Sequence, residues 1–202
     1  MSIKSLNRST VASSTRVAGC MAQRFNDSTI LVFNRRQTRK INLQRMRQIT
    51  QALVQELKLN RAVIGVNLVG TKEITLLNEK FLRHAGSTDV ITFDYAPGVP
   101  PSGGCISGAS HLAGRLGPGS RALHGEVFIC VDEALVQARR FGTRWQSEII
   151  RYLIHGMLHL LGFDDAHAAA RRRMKRAEDR LLRRLARRFS LAQLSAPAKI
   201  PA

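Results

Sequence analysis

From Ser28 onward the chain alternates periodic apolar segments with polar breaks. STILVFN (28–34) sets β-branched and apolar side chains on both faces, the pattern of a buried strand. After the basic linker NRRQTRK, Asn42 can cap a helix in which Leu43, Met46, Ile49, Leu53 and Leu57 recur at three and four, ending near Leu59. AVIGVNLVG (62–70) predicts a second strand, and Thr71 a cap for the short helix TKEITLLNEKF, which buries Ile74, Leu77 and Phe81. STDVITFDY (87–95) and GEVFICV (125–131) predict two more strands, with Asp132 capping the helix DEALVQARRF. A helix from Gly142-Thr143, with Thr143 and Gln146 at capping-box spacing, is apolar on most sides and stops at Gly162. The last helix spans about 168–189, with Met174, Leu181, Leu185 and Phe189 inward and ten Lys/Arg largely outward.

This pattern predicts one globular domain over 28–189, a size sufficient for a real core in a chain of 202 residues. Residues 1–27 read as a basic, flexible extension. Residues 1–20 are Ser/Thr-rich and free of acids, a composition shared with organelle transit peptides, and Met21 is an equally acceptable start. Residues 96–123 hold four prolines and seven glycines without periodicity and read as a mobile insertion. Residues 190–202 read as a C-terminal tail.

Charge changes the picture of partners. Residues 1–40 carry eight Lys/Arg against one acid, residues 41–170 thirteen against eleven, and residues 171–202 eleven against two. Charge this one-sided attracts polyanions, and nucleic acid is the first to consider. No apolar stretch approaches the ~20 residues of a membrane span, and the basic segments lack the large-aromatic face that inserts into an anionic surface, so no membrane partner is expected. Cys20, Cys105 and Cys130 lack the paired spacing of a thiolate zinc site and fit a reducing, cytoplasmic setting.

The chemistry concentrates in HGMLHLLGFDDAH. His155 and His159 are four apart, so both imidazoles leave one helix face and can share a cation. Past the turn at Gly162 come Asp165 and His167, and about 10 Å of extended chain suffices to bring either back as a third ligand. Two imidazoles with a carboxylate or a third imidazole, and a position left for water, is the donor set of catalytic zinc, which supports hydrolysis. A zinc protease would carry its general base at the second position of HExxH; Gly156 stands there.

HGMLHLLGFDDAH resembles the HGxLHLxGYDH signature of the YbeY family of single-strand endoribonucleases and rRNA maturation factors. LNEKFLRHAGSTDVITF is similar to the family's LNxxYRxxxxPTDVLSF, GEVFICVDEA to its GDIVIC, and ILVFNRRQ keeps the same order along the chain. The resemblance implies an α+β fold with a mixed four-stranded sheet flanked by helices and one zinc ion per chain at the end of the buried helix. It also implies work on single-stranded rRNA at the small ribosomal subunit, in 3′-end maturation and ribosome quality control, and no DNA substrate is expected. By position, His155 and His159 match the first two zinc ligands and the third family His falls on Asp165. Either Asp165 ligates in place, which keeps the family spacing, or His167 substitutes after a local shift. Asp164 matches the family Asp, as a turn cap or a hydrogen-bond partner of a ligand His. Leu82 holds the place of the family Arg, leaving Arg83 as the catalytic candidate, and Ser87 replaces the Pro before Thr88-Asp89. Arg83 and a ridge of Arg171, Arg172, Arg173, Lys175 and Arg176 would hold the RNA backbone. A zinc-containing assembly factor without catalysis is the alternative.

Overall fold

In a computed structural model that describes residues 28–36, 40–95 and 122–195, four strands form one mixed sheet. The strands are β1 (Thr29–Asn34), β2 (Arg61–Val69), β3 (Val90–Asp94) and β4 (Ala122–Cys130), in the order β1-β2-β4-β3. β1 and β4 run parallel to β2, while β3 is antiparallel to β4. The α+β expectation holds. β2 and β4 are central, which accounts for the nearly unbroken apolar runs IGVNLV and VFIC that would be wasted on a half-solvated strand.

Helices α1 (Leu43–Glu56), α4 (Trp145–Leu160) and α5 (Ala168–Arg188) contribute to the main core with one face of the sheet. Between them in sequence come the short α2 (Thr71–Leu77), extended by a π-helical turn at Asn78–Leu82, and α3 (Val131–Phe141). A smaller cluster of Val69, Ile74, Ile91, Phe93, Phe128 and Cys130, with Leu77 and Leu82 against it, includes residues of α2 and the π-helical turn. α4 anchors the site. Its Ile149, Ile150, Leu153, Ile154, Met157 and Leu158 are all buried, each favoured by about 1.5–3 kcal/mol over exposure.

Several expected boundaries move, for physical reasons. α1 stops at Glu56 because Lys58 turns left-handed (φ 54°). β3 begins three residues late, since Asp89 accepts the Val90 N–H on its own side chain. Phe81 is half exposed rather than buried. Gly70, not Thr71, precedes α2, and Cys130, not Asp132, precedes α3. The Asp132 carboxylate instead reaches across to the N–H and hydroxyl of Thr71 (2.9 and 3.1 Å) and to Arg36 (3.1 Å). Burial pushes that carboxyl up, yet those donors outweigh it and hold it below its ordinary value.

The Thr143–Gln146 capping box is also corrected. Arg144 precedes α4, Thr143 donates to Glu148 and Gln146 to Ser195. Residues 191–194, expected in the tail, form a 3₁₀ turn whose Leu194 is fully buried, and Ile41 bridges to Ser195. Ala122 and Leu123, expected at the end of the insertion, open β4. The rest of the insertion, the extension 1–27 and residues 196–202 lie outside the described residues. No helix among those described is long and apolar enough to cross a membrane.

Candidate metal centre

His155 and His159 occupy the last two turns of α4, on the side where it emerges from the core towards α5. Their rings meet edge to face, with the two Nε2 atoms 2.9 Å apart. Each Nδ1 faces an acceptor. In His155 it is 2.5 Å from the Glu178 carboxylate of α5, and in His159 it is 3.1 Å from the Phe163 carbonyl. A carbonyl only accepts, so the His159 proton sits on Nδ1, and the carboxylate assigns the same tautomer to His155. Two Nε2 lone pairs therefore point at one place.

The chain reverses beyond α4 through Gly162, whose φ of 81° is natural for glycine, and returns Asp165 to the same point. Single ligand atoms of His155, His159 and Asp165 lie within 4.8 Å of one another. Asp164 takes the turn-capping role, accepting the Ala166 N–H at 2.8 Å. Arg171 secures the loop by donating to the Asp165 carbonyl at 3.3 Å. His167 goes elsewhere: it precedes α5, its side chain 76% exposed and 3.8 Å from Asp164.

Burial pushes the His155 imidazole down, but Glu178, through its hydrogen bond and charge, and then Asp89 and Asp165, raise it to a net upward shift. Burial holds His159 down, and the charge on His155 adds to that against Asp165 and the Phe163 carbonyl. Converging lone pairs beside a carboxylate are a donor set that fits a divalent cation, and imidazole with carboxylate suits zinc.

His155 and Asp165 open into a cleft of about 240 Å³ also lined by Asp89, Arg151, Tyr152, Arg171, Met174, Lys175 and Glu178. Arg151 is held by Asp179 (2.8 Å) and Glu148 (3.6 Å), whereas Arg171 and Lys175 are exposed at the rim. Arg83 is absent from this lining. It follows the π-helical turn with a left-handed backbone (φ 57°) and is exposed. Leu82, in the place of the family Arg, packs against the smaller core cluster. Glu178 escaped the sequence reading, although a signal was there: it sits on the same α5 face as Met174, Leu181 and Leu185, and is an acid on an inward stripe.

An α+β domain that brings two oriented imidazoles and a carboxylate to the mouth of a cation-edged cleft has the makeup of a metal-binding protein with an anionic ligand. Residues 31–186 match the family described as Endoribonuclease YbeY, and the chain belongs to that family. It is similar to the Endoribonuclease YbeY of Salinibacter ruber, 32% identical over 145 residues, which is 72% of this chain and 84% of that one. With the Anaeromyxobacter Endoribonuclease YbeY it shares 37% identity over 122 residues, covering 60% of this chain and 54% of the relative. The solution structure of TM1509 from Thermotoga maritima has the same fold (TM-score 0.52, 19% identity), covering 86% of this chain and 99% of that one.

Proposed function

We propose that this protein is a zinc-dependent, single-strand-specific endoribonuclease that acts in the cytoplasm on small-subunit rRNA, in 3′-end maturation and ribosome quality control. The observation that carries the reading is the pair of Nε2 atoms, 2.9 Å apart, each set by its own Nδ1 acceptor and joined by Asp165. His155, His159 and Asp165 would hold the ion, and Glu178 would orient His155. The chemistry such an ion supplies is Lewis acidity, which activates water near neutral pH and neutralises charge developing on phosphoryl oxygens. Arg171 and Lys175, at the rim, suit the phosphates on either side of the scissile one. Arg83 stands outside the cleft, so this division of labour does not call on it. The protease alternative lacks a base at Gly156.

Chelator-treated protein is expected to leave single-stranded RNA intact, and addition of zinc to restore cleavage, with duplex RNA and single-stranded DNA cut far less. A folded, zinc-reconstituted protein that binds RNA without cutting it would make the chain a non-catalytic assembly factor instead. Glu178→Gln keeps the shape but removes the charge that fixes the His155 ring. It is expected to weaken zinc about 10- to 100-fold in a competition titration, the usual loss when a ligand's hydrogen-bond partner is removed. Unchanged zinc affinity in that variant would remove Glu178 from the site.

A further inference from the structure

Helix α5 carries a second arrangement that the cleft does not use. Arg172, Arg176, Arg180, Arg183 and Arg187 follow one another at four, four, three and four residues, which keeps them on one face of a helix. Met174, Ala177, Leu181 and Leu185 fill the opposite face and are buried, while all five arginines are exposed. At 1.5 Å per residue the stripe runs about 22 Å, in steps of about 4.5–6 Å. Its start lies beside Arg171 and Lys175 at the cleft rim.

The two acids of α5 do not neutralise it, because Glu178 is taken by His155 and Asp179 by Arg151. Arg184 and Arg188 turn aside to Glu56 and Gln55 on α1. Among the described residues no ion pair engages the five stripe arginines. Like charges three and four apart repel and destabilise a helix, and mixed signs would serve solubility better. A general basic bias does not account for the stripe either, since residues 41–170 carry thirteen Lys/Arg against eleven acids.

We infer that this stripe is an exosite for the phosphodiester backbone of RNA flanking the stretch held in the cleft, a reading that rests on the proposed nuclease function. Positive charges spaced along the helix neutralise backbone phosphates and read no base, so the exosite adds affinity and direction without sequence choice. The test is the triple variant Arg180→Gln/Arg183→Gln/Arg187→Gln, which lies beyond the cleft and keeps helix propensity.

Its affinity for an RNA long enough to span the helix is expected to fall at least about 10-fold at low salt, and the slope of log affinity against log salt to flatten by about 2. Cleavage of an oligonucleotide too short to leave the cleft is expected to stay at the wild-type rate. The corresponding triple lysine variant should bind the long RNA nearly as wild type does.

Wild-type affinity and salt slope in the glutamine variant would overturn the exosite. So would a lysine variant as weak as the glutamine one, or loss of binding to phosphatidylglycerol vesicles with RNA binding unmoved. Binding is read by fluorescence anisotropy without cleavage, so failure of the exosite is distinct from failure of the nuclease reading, in which wild type cuts no RNA of either length.

Discussion

Asp165→Ala is expected to leave the purified protein without zinc and to lower its cleavage of single-stranded RNA at least about 100-fold, because losing a ligand costs more than losing a ligand's hydrogen-bond partner. His167→Ala is expected to keep both. The contrast follows from the loop. Gly162 turns the chain left-handed, the Asp164 side chain closes a tight turn on Ala166, and Arg171 holds the Asp165 carbonyl. That sequence of contacts places Asp165 beside both Nε2 atoms and carries His167 out to the start of α5. Elemental analysis of the three purified proteins, with circular dichroism to verify the fold, decides the matter. Zinc retained by Asp165→Ala and lost from His167→Ala would mean that the loop rearranges around the ion and that the third ligand is an imidazole.

The same comparison marks where sequence reasoning reaches its limit. Periodicity located the four strands and five α-helices of the described residues, since Met46, Ile49 and Leu53, or Ile149, Leu153 and Met157, bury through spacing alone. The i, i+4 histidines were legible for the same reason. Which of Asp165 and His167 lies beside them was not, because about 10 Å of chain serves both equally and only the closed turn brings Asp165 there. Caps failed where a side chain found a distant partner. Asp132 serves Thr71 and Arg36 across 61 and 96 residues, and Gln146 serves Ser195 across 49. Glu178 shows the opposite error: amid ten Lys/Arg it looks like a solvated charge, yet its neighbour across the helix interface makes it part of the site. Leu82 packs against the smaller core cluster, and Arg83, one residue on, is exposed and absent from the cleft lining.

Gly156→Ala is expected to destabilise the fold by up to about 2 kcal/mol, although alanine in a helix interior ordinarily gains about 1 kcal/mol over glycine. A Cβ at this position would meet Val127 Cγ1 at 2.7 Å, Thr92 Cγ2 at 3.1 Å and Val90 Cγ2 at 3.2 Å. All three neighbours are buried, and valine, stiff at χ1, has no flexible end to swing aside. Overpacking of this kind costs about 1–3 kcal/mol, so the steric term wins, and at about 2–4 °C per kcal/mol for a domain of this size the midpoint should fall by up to about 8 °C in a thermal melt. Gly156→Glu adds a carboxylate with no room at the sheet and is expected to yield no soluble folded protein. An alanine variant that melts at or above wild type would show that α4 does not press on β3 and β4 at this point. With the contact as it stands, the residue after His155 is committed to packing. The histidine pair therefore has no zinc-protease glutamate beside it, and the exposed Arg171 and Lys175 at the cleft rim suit the phosphodiester substrate proposed above better than a peptide.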